Sequence, residues 1–355
     1  MTTIIFDNDA ANDDVIALIY LASHPEVNLA AITIAGTGEA HGPRGAKNLA
    51  DLCYMLGKSN VPIAYGSSQP CDESGKLFPE FVRAMMDNIF VNKAVPMHPN
   101  PVITNSAIDL IKTIILSSNE PVSILATGPL TNIAEFIKTH PELAKKIEKV
   151  VIMGGAVNVK GNIEALDQQS GNKVAEWNIY ADPKAAEIVF SSGVPVTLVP
   201  LDATNQVPMT SEFYHSLSQS LQPGLKLIYE LLKVIVAHFD MDLFLKEFYL
   251  WDPLAAMICI DPKLAISESM SVLMDLKTAQ TKCVDKGTVG SALINVVTKI
   301  PNAHLILKKF IDETKSNLLN NQSTVTPISI YPTQNIPTGI FQQSTDVPTV
   351  DNRFN

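Results

Sequence analysis

Thr2-Thr3-Ile4-Ile5-Phe6-Asp7-Asn8-Asp9-Ala10-Ala11-Asn12-Asp13-Asp14-Val15-Ile16-Ala17-Leu18-Ile19-Tyr20-Leu21-Ala22 opens the chain. Its first residues are β-branched and aromatic, the composition of a short buried strand. Residues 15–22 read as a helix. Between the two, Asp7, Asp9, Asp13 and Asp14 put four carboxylates into one strand-to-helix turn. Their mutual repulsion is hard to tolerate without a cation, and oxygen-only ligands suit a hard ion such as Ca2+ or Mg2+. The turn also falls beyond the carboxyl end of a strand, where parallel α/β sheets bind their ligands. A plainer reading has the Asp residues capping the helix and favouring its positive end, but one or two would suffice for that.

Outward from this turn, strand-like and helix-like stretches alternate. Asn28–Ile34, Ile63–Tyr65, Val122–Ala126, Val150–Ile152 and Val196–Val199 read as strands. Ala46–Leu56, Ser106–Leu116, Thr131–Lys138, Pro183–Phe190, Leu225–His238, Asp252–Cys259 and Asn302–Glu313 read as helices. The alternation predicts a single α/β domain over 1–319, its largely parallel central sheet covered by helices on both faces. Ser67–Pro101 has no clear periodicity and reads as a flap. Val159–Lys173 is polar and contains Gly. Residues 320–355 are rich in Ser, Thr, Gln, Asn and Pro and read as a polar C-terminal extension rather than a packed unit.

Of the 355 residues, 46% are hydrophobic and 17% charged, a well-cored globular composition. A formal net charge of −10 with no basic cluster argues against a nucleic-acid partner. No apolar run is long enough to span a membrane. No basic and apolar leader precedes the first strand. Cys53, Cys71, Cys259 and Cys283 are scattered, and Cys53 and Cys259 sit in apolar helical patterns that suggest core positions. A reduced, cytoplasmic protein is the simplest expectation.

Polar groups collect at the ends of the expected strands. Asp9, Asp13 and Asp14 follow the first, Gly36-Thr37-Gly38-Glu39 the second, and Thr127-Gly128-Pro129-Leu130-Thr131-Asn132 the strand 122–126. Met153-Gly154-Gly155 follows 150–152, and Asp202 lies just past 196–199. Strand ends of a parallel sheet share one edge, so these groups can converge on one cleft. Trp251-Asp252-Pro253 opens a helix, with Asp252 placed as an N-cap and Pro at the first helical position.

Taken in order, these motifs resemble the inosine-uridine preferring nucleoside hydrolase family over about residues 2–315. The shared pieces are the Asp-x-Asp-x-x-x-Asp-Asp run at Asp7, Asp9, Asp13 and Asp14, the turn Thr127–Asn132, and Met153–Gly155. They continue with Glu176-Trp177-Asn178, Asp182-Pro183 and Asp252-Pro253. The resemblance implies Ca2+-dependent hydrolysis of the N-glycosidic bond of ribonucleosides to free base and ribose, by a homodimer or homotetramer. It implies Asp9, Asp14, the Thr127 carbonyl and Asp252 as Ca2+ ligands, with Asp9 also the base that takes a proton from water. It further puts Asp13 on the ribose 2′-hydroxyl and Asn178 on the 3′-hydroxyl. Glu176 and an Asn, either Asn162 (favoured) or Asn172, would take the 5′-hydroxyl.

The chain departs from the family at two positions. Trp251 stands where some members carry His before the late Asp, and it resembles the purine-preferring members, in which an aromatic ring stacks on the base. Core packing with Phe248 and Tyr249 is the competing reading. Glu39 stands where many members have Asn, and would hydrogen-bond the base or the sugar. Phe78 and Phe81 are candidates for a second aromatic wall, and His41 and His238 for an acid, although a lone His is more often structural. Two rivals remain at this stage. A Mg2+-dependent phosphohydrolase also uses Asp-x-Asp after a strand, but wants Thr or Val where Ala11 stands. A non-catalytic Ca2+-dependent nucleoside-binding protein would have no use for the full set of carboxylates.

Overall fold

The opening strand, β1 (Thr2–Asn8), runs up the middle of the sheet, paired in parallel with β2 (Val27–Ile34) on one side and β5 (Val122–Ala126) on the other. Outside β2 lie β3 (Ile63–Tyr65) and β4 (Ile103–Thr104), and outside β5 lie β6 (Ile147–Met153) and β7 (Val196–Val199), all parallel. The computed structural model describes residues 1–315; the extension expected over 320–355 lies outside the described residues.

Four strands were not anticipated, the short β4 and three more beyond β7. β8 (Ile266–Asp275), β9 (Gln280–Val284) and β10 (Ala292–Lys299) complete the order β4-β3-β2-β1-β5-β6-β7-β10-β8-β9. β10 continues the parallel run beside β7, whereas β8 pairs antiparallel with both β10 and β9. The sheet is therefore mixed but mostly parallel, as the alternation implies.

The two faces follow the period-2 alternation of β1. Ile4 and Phe6 point into one apolar layer, shared with α1 (Asn12–Ser23), α2 (Gly42–Met55) and the helices Pro223–Phe239, Trp251–Ile260 and Ala303–Lys315. Ile5 points into the other, formed with α4 (Ala107–Ser117), α5 (Thr131–Thr139) and the helix Pro183–Ser191. With both faces covered, the central strands are buried along nearly their whole length, which is why they read as continuous apolar runs. Cys53 and Cys259 are buried free thiols, as expected.

The 67–101 segment carries α3 (Glu80–Asp87). His41, just before α2, bonds Asp87 through both its backbone N–H (2.9 Å) and Nδ1 (2.8 Å). Asn48 Nδ2 donates to the carbonyls of Met86 and Asp87, each at 3.2 Å. Phe78 stacks on Trp177 with centroids 4.6 Å apart. The expected flap is thus tied down at both ends of α3. No helix among the described residues is long and apolar enough to cross a membrane.

Candidate active site

The acid turn is held by its own backbone and by its neighbours. Asn8 Oδ1 accepts from Ala10 N at 3.0 Å, and Ala10 takes a positive φ of 61°, a sparsely populated conformation for a residue with a Cβ. The chain can then turn sharply from β1 into α1. Asp14, in the first turn of α1, accepts from Ala11 N (2.9 Å) and Asp9 N (3.3 Å) through Oδ2, while its Oδ1 takes the Thr127 hydroxyl. The capping reading is therefore correct for Asp14, which satisfies free N–H groups at the helix start. Asp7 Oδ1 accepts from Thr33 and Asn132, its Oδ2 is buried without a partner, and burial raises its pKa to about 7.

Asp9 is wedged between two glycines. A Cβ on Gly38 would lie 2.1 Å from Asp9 Cβ, and one on Gly128 would lie 2.9 Å from Asp9 Cβ and its backbone N. No side chain fits at either place, so the Gly36–Glu39 and Thr127–Asn132 turns close on Asp9 only because these residues lack one. The Glu39 N–H donates to Asp9 Oδ2 (3.0 Å) and Ala40 N to the Asp9 carbonyl (3.1 Å).

Asp252 arrives from far along the chain because the helix Trp251–Ile260 packs against α1, bringing its first turn beside that of α1. Asp13, Asp14 and Asp252 then offer carboxylate oxygens within 4.8 Å of one another. The N-cap is Leu250, and Asp252 makes no capping bond. That corrects the sequence expectation: the N-cap falls two residues earlier than Asp252, and the Asp252 carboxylate lies with the other acids instead. Its Oδ1 is buried without a hydrogen-bond partner.

The electrostatics are those of crowded, buried acids. Burial first, then the charge of Asp9, raises Asp13 to about 7; burial first, against help from Asp9 and Thr127, raises Asp14 to about 6. Asp9 and Asp252 are driven well above the carboxylate range by burial and by their acidic neighbours. Glu39 is driven up likewise, by burial and then by Asp9, Asp13 and Glu176. A hard cation answers this arrangement: the donors are all oxygens, they converge, and Asp252 Oδ1 has no other partner.

The remaining expected residues line the same strand edge. Asn178 donates through Nδ2 to the carbonyls of Thr127 (2.9 Å) and Met153 (3.2 Å), so its Oδ1 is the acceptor left over. Glu176 caps the short helix Trp177–Ala181, accepting from Asn178 N (2.9 Å), Ile179 N (3.2 Å) and Gly155 N (2.8 Å). Burial raises its pKa against these bonds. The two Asn candidates differ. Asn172 uses both ends of its amide within its own loop and on the Thr278 carbonyl. Asn162 uses only Oδ1, on Trp177 N (3.1 Å), which sets it next to Glu176. Trp251 is half-buried, in edge contact with Phe248 (5.9 Å) and tilted against Tyr249 (5.9 Å).

Of the other candidates, Phe78 is buried against Trp177 and Phe81 is 64% exposed. His41 belongs to the α2–α3 tie, and the side chain of His238 lies outside the described residues. Sequence reasoning missed the clamp of Gly38 and Gly128 on Asp9, for which the Gly in each strand-end turn was the available signal. It also missed that Asp202 accepts from Val157 N (2.9 Å) and Asn158 N (2.8 Å), bracing the loop after β6.

A mostly parallel α/β sheet whose strand ends bring three acids close enough to hold a metal ion fits a hydrolase built on an α/β fold. Comparison with known proteins gives the family. The profile of the inosine-uridine preferring nucleoside hydrolases matches residues 4–312, and the chain belongs to that family. It is 35% identical over 234 residues to the pyrimidine-specific ribonucleoside hydrolase RihA of Citrobacter koseri, covering 64% of this chain and 69% of that protein. It is 31% identical over 286 residues to the protein of the same name from Photobacterium profundum, covering 78% and 86%. In structure it is similar to a purine-preferring ribonucleoside hydrolase from Gardnerella vaginalis, with a TM-score of 0.77, 27% identity, and 88% and 98% coverage. The chain is thus a hydrolase of the glycosidase type, with relatives of both base preferences.

Proposed function

We propose that this chain hydrolyses the N-glycosidic bond of ribonucleosides to free base and ribose, with Ca2+ bound and purine nucleosides preferred. The observation that carries the reading is the cluster of Asp13, Asp14 and Asp252 with its unpartnered Asp252 Oδ1, at the strand edge of a chain of this family. Asp9, Asp14, Asp252 and the Thr127 carbonyl would hold the ion, which when bound would supply Lewis acidity to a water and to the ribose diol. Asp9 accepts the proton of the attacking water. Asp13 binds the 2′-hydroxyl and Asn178 Oδ1 accepts from the 3′-hydroxyl. Glu176 and Asn162 hold the 5′-hydroxyl, which the unused Asn162 amide nitrogen supports. The C–N bond breaks through an oxocarbenium-like state, whose positive charge the surrounding carboxylates favour.

Purine preference rests on Trp251, a half-buried ring adjoining Asp252, since a purine offers more overlap for stacking than a pyrimidine. Glu39 contributes a polar contact to the base or sugar. The test is a kinetic panel of inosine, adenosine, guanosine, uridine and cytidine, with a phosphate ester alongside. Free base and reducing sugar, with higher kcat/KM for the purines, is the expected result. Uridine cleaved as efficiently as inosine removes the preference but leaves the reaction, whereas release of phosphate alone overturns both.

A further inference from the structure

Asp182-Pro183 takes no part in the reaction outlined above, yet the Asp182 carboxylate is fully buried. A buried charge is tolerated only where hydrogen bonds meet it, and three do. Oδ1 accepts from Ala185 N at 3.0 Å, which caps the helix Pro183–Ser191. Oδ2 accepts from Cys71 N at 2.9 Å and from the Thr131 hydroxyl at 2.8 Å. Thr131 Oγ1 in turn lies 2.9 Å from Thr37 Oγ1. A hydroxyl has one proton, and that of Thr131 goes to the carboxylate, so Thr37 is the donor in this pair. Thr37 and Thr131 are as fully buried as Asp182. The result is one directed chain, Thr37 to Thr131 to Asp182, in which each bond polarises the next.

This chain joins the two turns that grip Asp9. Thr37 directly precedes Gly38, and Thr131 lies three residues past Gly128. The two glycines leave Asp9 no slack, since a Cβ on Gly38 or Gly128 would fall 2.1 or 2.9 Å from Asp9 Cβ. The N–H of Glu39, next after Gly38, holds Asp9 Oδ2 at 3.0 Å. The strands leading into the two turns, β2 and β5, do not pair with each other, because β1 lies between them. The hydroxyl pair links one turn to the other past the end of β1. We propose that Thr37, Thr131 and Asp182 are positioning residues for Asp9: their chain sets the spacing of the two glycine turns, and with it the aim of the Asp9 carboxylate at the attacking water. Asp182 anchors the chain because the helix it caps packs against α5, whose first residue is Thr131. The proposal rests on the nucleoside hydrolase reading given above.

Thr131→Val removes the middle of the chain and leaves Asp182 its bonds to Cys71 and Ala185. Its kcat for inosine should fall by about tenfold or more, part of the hundredfold that an ångström of misplacement can cost, while KM stays within about threefold. Thr131→Ser, which keeps the hydroxyl, should recover kcat to within about threefold of the unmodified enzyme. Thr37→Val breaks the same link from the other turn. It should lose as much, and the double Val variant should lose no more than either single one. If Val at 131 prevents folding, Thr37→Val against Thr37→Ser decides in the same way. A folded Val variant with a lowered melting temperature but unchanged kcat overturns the proposal and leaves the chain a stabilising contact alone. Losses that multiply in the double variant, or a rise in KM as large as the fall in kcat, overturn it as well. Inertness of the unmodified enzyme toward inosine and uridine alike overturns the nucleoside hydrolase reading itself, and this inference with it.

Discussion

Around Asp9, Asp14, Glu176 and Asn178, polar atoms are bonded to the backbone of a strand end or a helix start. At Glu39 and Trp251, side chains instead hang from a loop and the first residue of a helix. The first region is built on the most buried strands of the sheet, and its acids are placed by several bonds each. The second belongs to connecting segments, Glu39 in the turn after β2 and Trp251 at the first residue of a helix. The proposed roles divide the same way: the acids proposed to face the sugar belong to the framework, and the groups proposed to face the base are attached to it, a division that lets one fold serve relatives named for opposite base preferences.

That contrast can be broken at its strong end. Asp9→Asn should lower kcat for inosine by about a thousandfold or more, since it removes both a proposed metal ligand and the proposed base. The circular dichroism spectrum should be unchanged, because the bonds around Asp14 remain. Near-normal turnover in a folded Asn variant would take Asp9 out of the reaction. Gly38→Ala comes next. Its Cβ would meet Asp9 Cβ at 2.1 Å, so one of the two must move. Misplacing a catalytic group by about an ångström costs on the order of a hundredfold, and kcat should bear it more than KM. An Ala variant with normal kcat would show that the clamp is incidental.

At the weaker end, Trp251→Ala should reduce inosine turnover by about fivefold, the worth of one stacking contact of roughly 1 kcal/mol, and uridine turnover by less. Equal losses on both substrates would assign Trp251 to packing with Phe248 and Tyr249, whose edges it already touches.

How much was legible in the sequence follows the same division. Val122–Ala126 and Val196–Val199 were read with their observed bounds because doubly covered strands are unbroken apolar runs. β8 was missed because half of it, Ile266–Glu268 with its neighbours, faces outward and mixes Ser and Glu with apolar residues. α3 was missed although Phe81, Val82, Met85 and Met86 recur at helical spacing, because it spans only eight residues between stretches rich in Gly, Pro and Asn that hide so short a period. The acid turn was legible because its four Asp residues are close in sequence, and Asp252 because it resembled a known motif. The role of Gly38 and Gly128 depends on two loops closing over one side chain, which no local pattern encodes.

The central claim is that these acids work as a Ca2+ site for nucleoside hydrolysis. It is tested most directly by measuring bound metal and inosine hydrolysis on one sample, before and after chelation and on adding Ca2+ back. One tightly held Ca2+ per chain, activity lost with it and recovered on its return, and neither retained by Asp252→Ala, is the result the account predicts. Full hydrolysis by protein that elemental analysis finds free of stoichiometric metal would contradict it.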